Sequence, residues 1–512
     1  MHDIICPNCG DRFLASDVAF DLSQFIIPLL HEKPEEADEV KAVRFKFLVD
    51  EDSIINSTEP DNTIPLEWET RGGPNPLDPH YPYVVTSDAI FNYICNKLGR
   101  KRQEIEDMFE ELKNANEKTT RGEYRCTPTQ LNVIREMYFV FFGVSENTVG
   151  DIDLDDDNVK VAIRVLLHIF NNRYTASSKV VLRVRCYSAN KNGYHVPDIL
   201  FVQGGGMTPV RIEKCCRFCG RKLPDEFGYY KMMPAVLLGS HFAGKTSYLL
   251  ALYYMVLKMP PFTTEDSIKA YPLTNDDNLT AFQRNLERYR KGEPPEKTDF
   301  YDIPILNLRI DDVIYSFIDW PGEKFIDDKY EIDRDFIYNT KKVITHARHV
   351  LFFLEPSQID ASLASKEENV DFDMDNLISR LRWHLDFPNP DKLRSILFVV
   401  NKIDMIANNE YTESYYRDIR AIPETDFFGN GKWHDEAFSS LEKKIKSYIS
   451  ELKPSLLYGL ENIETKDKVE RLFVPVAPYG ASDNKEQGMV IHRGCLVGVP
   501  LLKILKTDST LK

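Results

Sequence analysis

From about residue 229 to the C-terminus, short apolar runs alternate with stretches of helical spacing. The runs Ala235–Leu238, Ile303–Ile310, Val313–Ile318, Val350–Leu354, Ile396–Val400 and Leu472–Val476 predict strands. Thr246–Leu257, Met374–His384 and His434–Leu452 predict helices between them, and Leu273–Arg290 adds another. Strands and helices in alternation imply an α/β domain with a mostly parallel sheet. Residues 20–212 read differently. Strand-like Val43–Val49 precedes a polar stretch with proline and glycine, Asn56–Pro82, which predicts a long loop. Helical spacing follows at Ser87–Leu98, Arg102–Asn114, Pro128–Phe142 and Val159–Asn171, with Ser87, Asp88 and Thr127 as caps, and Lys179–Tyr187 reads as a strand. This mixture predicts an α+β unit with no recognisable motif. The acidic cluster Asp151–Asp157 lacks the glycine and closing glutamate of a calcium loop and reads as a solvated turn. No internal repeat, coiled coil or low-complexity tract interrupts the chain.

Candidate chemistry begins where the strand at Ala235–Leu238 meets the helix at Thr246. Gly239, Ser240, His241, Phe242, Ala243, Gly244, Lys245 and Thr246 fit G-x-x-x-x-G-K-[ST], with Ser247 next in the helix. Glycines at both ends let the backbone curl so that N–H groups and the helix N-terminus face an anion. Lys245 adds a cation and the Thr246 hydroxyl a magnesium ligand, so the loop suits the phosphates of a nucleoside triphosphate.

Two later stretches extend the reading. The strand Val313–Ile318 runs into Asp319-Trp320-Pro321-Gly322, a D-x-x-G. A carboxylate there can hold magnesium through water, and Gly322 can bring its N–H to a γ-phosphate without a side-chain clash. The strand at Ile396–Val400 delivers Asn401-Lys402-Ile403-Asp404, an N-K-x-D. The Asp404 carboxylate can accept both N–H donors on the guanine edge, a pairing that adenine cannot make. An ATPase or metabolic kinase is disfavoured on that ground.

With these three motifs in this order, the chain from about Tyr229 onward resembles a P-loop GTPase of the translation-factor-related (TRAFAC) class, the wider group that includes the Ras-like proteins. The resemblance implies a magnesium-dependent GTP-binding domain, with Lys245 on the β- and γ-phosphates and Thr246 and Asp319 around the metal. It also calls for a switch threonine ahead of the D-x-x-G strand. Thr298, 21 residues before Asp319, has that placement and would be a further magnesium ligand, the alternative being a turn threonine in a proline-rich loop. Two departures stand out. Glu323 occupies the place of the glutamine that orients water in Ras-like enzymes, and a carboxylate facing a γ-phosphate is repelled unless it is compensated. Hydrolysis that is slow or partner-dependent follows, as does a non-hydrolysing scaffold. In the last base-contacting loop, Phe473–Gly480, Pro478 has no N–H, so the contact to the guanine carbonyl falls to Ala477 or Tyr479, or is missing. More narrowly, D-W-P-G-E at Asp319–Glu323, G-E-P-P-E-K-T ending at Thr298, and V-G-V-P-L-L-K-I-L near the C-terminus resemble bacterial double-GTPase families thought to act in conflict or signalling systems.

Nine cysteines in 512 residues are too few and too unevenly spaced for a disulfide scaffold. Four of them form two C-x-x-C-G knuckles, Cys6 with Cys9 and Cys216 with Cys219, which together complete a tetrahedral zinc site, the alternatives being two independent redox pairs or unbound thiols. About 200 residues separate the knuckles, so they predict a zinc ribbon split by an inserted domain. Cys215 is an alternative ligand to its neighbour Cys216. The resulting organisation is a first ribbon half at 1–19, an inserted unit at 20–212, a second half at 213–228 and the GTPase domain at 229–512. Closed four-thiolate sites hold structure, so the ribbon reads as a clamp or docking platform for a protein partner.

Charge narrows the partners. A formal net charge of −16, from 64 Lys and Arg against 80 Asp and Glu, argues against nucleic acid or an anionic membrane, either of which calls for a basic face. No apolar run approaches the roughly 18 residues that a membrane helix needs, and the N-terminus is not a signal peptide. Reduced thiols and GTP then lead to an expected cytoplasmic location. The sequence leaves the partner's identity and the oligomeric state open.

Overall fold

The computed structural model describes residues 3–15, 18–21, 48–50, 82–85, 99–116, 180–188, 195–202, 210–211, 213–240, 243–258, 268–274, 276–291, 304–320, 342–363, 392–408, 412–422, 427–429, 432–463, 469–479 and 496–508, with scattered positions between these. They fall into two compact units: residues 1–4, 13–223 and 227–229 in one, and 5–12, 224–226 and 230–512 in the other.

Near the N-terminus, β1 (Asp3–Ile5) and β2 (Arg12–Leu14) pair as a two-stranded ribbon. In the first unit β3 (Ala19–Asp21) pairs antiparallel with β4 (Leu48–Asp50). β5 (Pro82–Val85), β6 (Val180–Ser188), β7 (His195–Val202) and β8 (Val210–Arg211) form an antiparallel sheet in chain order. β9 (Lys214–Cys215) joins β3 on the side away from β4. The helix expected at Arg102–Asn114 is α1 (Arg102–Asn116), which buries Ile105 and Phe109 one turn apart. β6 matches the strand expected at Lys179–Tyr187, whereas β7, broken in pattern by Pro197, was not foreseen. The Val159–Asn171 helix, the acidic cluster Asp151–Asp157 and most of the Ser87–Leu98 and Pro128–Phe142 helices lie outside the described residues.

The second unit is built on a seven-stranded sheet. Its strands are β10 (Lys231–Gly239), β11 (Ala270–Pro272), β12 (Ile305–Ile310), β13 (Val313–Asp319), β14 (His349–Leu354), β15 (Ser395–Val400) and, beyond a small hairpin of β16 (Phe428–Gly429) and β17 (Lys432–Trp433), β18 (Glu470–Pro475). The spatial order is β11-β12-β13-β10-β14-β15-β18. β13, β10, β14, β15 and β18 pair in parallel, and β12 runs antiparallel to both of its neighbours. The mostly parallel α/β architecture expected from the alternation is therefore present.

β14 and β15 are buried at every position and β10 at all but its first, as strands covered by helices on both faces must be. A fully buried Leu, Ile or Phe side chain contributes about 1.5–3 kcal/mol, so this apolar layer dominates the energetics. Pro234 sits in central β10 without breaking it. Pairing with β14 begins only at Ala235, and the Pro234 carbonyl takes the Arg348 N–H at 2.8 Å on that edge. The missing donor therefore faces the edge where β14 has not yet begun.

Helix α2 (Lys245–Lys258) leaves the phosphate-type loop and is apolar nearly all round, because it lies between the sheet and α3 (Asp277–Arg290). Tyr253 of α2 meets Phe282 of α3 with ring centroids 6.1 Å apart. A one-turn helix, α4 (Pro356–Ile359), follows β14, and α5 (Glu413–Arg420) follows β15. α6 (Asp435–Leu452) matches the helix expected at His434–Leu452, and Pro454 opens α7 (Pro454–Glu461) directly after it. α8 (Val499–Thr507) closes the unit.

At the amino ends of β14 and β15, Asp508 after α8 accepts from Arg348 Nε at 2.8 Å and lies 2.9 Å from His349 Nε2. His349 Nδ1 lies 2.8 Å from Ser395 Oγ. Burial raises the Asp508 pKa, but His349 and Arg348 together hold it below the usual carboxylate range. Ser395 and His349 are completely buried, so this Ser-His-Asp trio fastens the C-terminal helix and offers no nucleophile. No helix among the described residues is long and apolar enough to cross a membrane.

Candidate functional site

The motif residues gather where the parallel strands end. In an open α/β sheet, ligands bind outside the carboxyl ends of the strands, at the point where the strand order reverses. Here β10 is that point, flanked by β13 on one side and β14 on the other. Gly239 ends β10, Asp319 ends β13, Glu355 follows β14, Asn401 and Lys402 follow β15, and Ala477 follows β18.

The loop from Gly239 to Gly244 demands its glycines. Gly239 has φ +143°, and a Cβ there would meet Phe353 O at 2.7 Å. Gly244 has φ +76°, and a Cβ there would meet Asn401 Nδ2 at 2.5 Å. The second contact joins two motifs, because Asn401 Nδ2 donates to Ala243 O at 2.7 Å. Asn401 Oδ1 is buried with no hydrogen-bond partner among the described residues, which suits a polar ligand edge. Lys245 is buried, and its Nζ donates to Gly239 O at 3.1 Å and Ser240 O at 3.0 Å. Its ammonium thus lies inside the curl of the loop.

Thr246, half-buried in the first turn of α2, donates its hydroxyl to Asp319 Oδ2. Burial raises the Asp319 pKa, and the Lys245 charge and the Thr246 hydroxyl pull it back in part. A divalent cation would stabilise that buried carboxylate far better, so the hydroxyl and carboxylate pair has the donor chemistry of a magnesium site. Ser247, next in the helix, bonds through its side chain to Tyr479.

Lys402 takes φ +54° and pairs its Nζ with Glu355 Oε1. Asp404 is half-buried in the first turn of a 3-10 helix, Ile403–Asn408. Ala477 is fully buried at the end of β18. His241, Phe242, Thr298, Gly322 and Glu323 lie outside the described residues.

Two site residues escaped the sequence reading, Glu355 and Gln358. Gln358 Oε1 accepts the Glu355 N–H at 2.9 Å, and its Nε2 donates to Ser240 Oγ at 3.1 Å. The α4 turn thereby ties the phosphate-type loop to the N-K-x-D loop through Glu355 and Lys402. The sequence signal was the capping pattern Glu355-Pro356-Ser357-Gln358 directly after an apolar strand. Replacing Gln358 by alanine leaves Ser240 without this bond and is expected to weaken triphosphate binding about fivefold, the worth of about 1 kcal/mol. Titration calorimetry checks it, and an unchanged Kd would show that the α4 turn does not support the loop.

A second cluster consists of the four predicted cysteines. The Cys6, Cys9, Cys216 and Cys219 sulfurs lie within 4.8 Å of one another, the first three residues buried. The two knuckles repeat the same backbone pattern. Cys6 N donates to Asp11 O at 2.9 Å and Gly10 N to Cys6 O at 2.8 Å, while Cys216 N donates to Arg221 O at 2.8 Å and Gly220 N to Cys216 O at 2.8 Å. Gly10 and Gly220 have φ of 72° and 65°, the left-handed turn for which glycine is suited. Zn–S bonds of about 2.3 Å put tetrahedral sulfurs about 3.8 Å apart, so the cluster fits a closed thiolate site. Cys216 belongs to the cluster and its neighbour Cys215 does not; the Cys215 backbone pairs in β9, opposite Ala19 and bridged to Lys222.

Residues 235–445 match the family model described as Double-GTPase 2. This segment is similar to that family and has the fold of a P-loop GTPase domain. It holds the phosphate loop, the D-x-x-G and the N-K-x-D, whereas Ala477 and α8 lie beyond its end. The chain is also similar to several solved structures. They include the Ski7 GTPase-like domain of S. cerevisiae bound to GTP, with 14% identity, 56% of this chain and 51% of that one covered, and a TM-score of 0.27. Translation elongation factor SelB of Methanococcus maripaludis with a GTP analogue gives 13% identity, 55% and 35% coverage, and 0.21. The signal recognition particle receptor complex SRb-GTP/SRX of Chaetomium thermophilum gives 13%, 50% and 96%, and 0.23. The chain thus spans about half of the first of these and about a third of the second. No curated protein matches.

Proposed function

We propose that the protein is a magnesium-dependent GTP-hydrolysing switch, of the conflict or signalling kind that its resemblance implies. The observation that carries this is the meeting of three motifs at the carboxyl ends of the parallel strands: Lys245 inside its loop, Thr246 on Asp319, and Asn401 on Ala243. Magnesium, held by Thr246, Asp319 and Thr298, would supply positive charge at the β- and γ-phosphates. Lys245 and the α2 N-terminus bind the phosphates, and Asp404 reads the guanine edge, with Asn401 and Lys402 fixing that loop. Nucleotide state then changes the segments around Thr298 and Asp319–Gly322, and the N-terminal unit at 20–212 presents a protein partner or responds to one. The four cysteines hold a structural zinc that joins the ribbon halves, 1–19 and 213–228, and the GTPase domain occupies 229–512. A cytoplasmic setting with reduced thiols suits both sites.

A second reading is a non-hydrolysing nucleotide-gated scaffold, favoured by Glu323 at the water-orienting place. Single-turnover GTP hydrolysis with magnesium, beside binding of a non-hydrolysable analogue and an ATP control, separates the two. Turnover supports the switch, and binding without turnover, with every candidate partner added, supports the scaffold. Asp404→Asn is expected to reduce GTP-over-ATP preference at least tenfold while leaving phosphate contacts. An unchanged preference would remove Asp404 from base recognition.

A further inference from the structure

The loop that follows β18 is gripped from an unexpected quarter. Tyr289, next to last in α3 and 2% exposed, donates its hydroxyl to Pro478 O at 2.5 Å. Its ring packs on Tyr479 with centroids 5.2 Å apart and on Tyr254 of α2 at 5.9 Å. Tyr479 in turn donates to Glu293 O at 3.2 Å, just past the end of α3. The stretch Pro478-Tyr479 is therefore held on both its backbone and its side chain by α3 and the residues after it.

The consequence follows from the planarity of the peptide unit. The Pro478 carbonyl and the Tyr479 N–H belong to one trans peptide and point in opposite directions. Engaging the carbonyl on the α3 side fixes the Tyr479 N–H on the other. Pro478 has no N–H of its own, so this donor is one of two that the loop can offer a base carbonyl, the other being that of Ala477. We propose that Tyr289 is a positioning residue for base recognition: its hydroxyl locks the Pro478–Tyr479 peptide so that the Tyr479 N–H is aimed at the guanine carbonyl oxygen. This rests on the guanine-nucleotide reading given above. It also gives α3 a purpose, because the contact to Glu293 ties the base loop to the end of that helix.

The test uses the full-length chain and Tyr289→Phe, which keeps the ring contacts and removes one hydroxyl. Kd is measured for GDP, for 6-thio-GDP, whose sulfur accepts hydrogen bonds weakly, and for ADP, with thermal melting alongside. The unmodified protein is expected to favour GDP over 6-thio-GDP about five- to tenfold. Tyr289→Phe is expected to lose most of that ratio by weakening GDP, with 6-thio-GDP and the melting temperature little changed. A merely structural hydroxyl would weaken both nucleotides alike, and that result, or an unchanged GDP affinity, overturns the proposal and leaves the contact to Ala477. Absence of any GDP-over-ADP preference in the unmodified protein would instead overturn the guanine reading, and this proposal with it.

Discussion

Replacing Lys245 by alanine is expected to remove detectable GTP binding at concentrations that saturate the unmodified protein. The side chain is buried, and its ammonium is already held inside the loop by two carbonyls, Gly239 O and Ser240 O. Little ordering remains for it to undergo when phosphates arrive, so its full charge is available to them. Truncating one partner of a buried charge pair costs about 2–5 kcal/mol, roughly 30-fold to several-thousand-fold in affinity. The loss has a second part. The Lys245 charge offsets the burial of Asp319, so without it the carboxyl pKa rises further and the carboxylate is less available to a metal. Magnesium dependence should therefore weaken in the same variant. Arginine is not a conservative replacement, because its planar fork does not fit a loop shaped around a compact ammonium. Fluorescence titration with a labelled GTP, and circular dichroism to show that the variant is folded, make the check. Affinity within about threefold of the unmodified protein would mean that this loop does not hold the phosphates.

The difference between what was legible in the sequence and what was not is a matter of distance along the chain. β14 and β15 were readable because a strand covered on both faces must be apolar throughout. The phosphate loop, the D-x-x-G and the N-K-x-D were readable because each packs its chemistry into a few consecutive residues after such a strand. By contrast, Gln358 supports Ser240 across 118 positions, and Tyr289 reaches Pro478 across 189. Neither pair leaves a local pattern, and both residues look like ordinary helix members. Short elements were lost for another reason: three-residue β11 owes its strand geometry to pairing with β12, not to its own composition. α4 is a single turn, below the length at which helical spacing can be read.

The knuckles give the other large expected effect. Cys6→Ser removes one of four thiolates in a closed cluster, and the metal content of purified protein should fall from about one zinc per chain to a small fraction of that. Structural zinc can carry about 10–16 kcal/mol of apparent folding energy in small zinc-bound peptides, so a large drop in melting temperature and in soluble yield should accompany the loss. Zinc content that stays at one per chain would exclude these four cysteines as a single site. Gly10→Ala separates the metal from what the turn rests on. It keeps every thiolate, yet Gly10 has φ +72°, and a Cβ there would meet Val343 N at 2.3 Å and Lys342 C at 2.6 Å. Asp11, the next residue, pairs with Lys342 at 2.7 Å. The turn therefore sits directly on the backbone at Lys342 and Val343. A left-handed alanine costs about 1–2 kcal/mol and forced displacement of packed backbone about 1–3 kcal/mol more. Gly10→Ala should accordingly lower stability by about 2–5 kcal/mol while zinc content stays near one per chain. Chemical denaturation with parallel metal analysis reads both quantities. A fully stable Gly10→Ala protein would show that the knuckle does not bear on residues 342–343, and a zinc-free one that the turn geometry itself selects the metal.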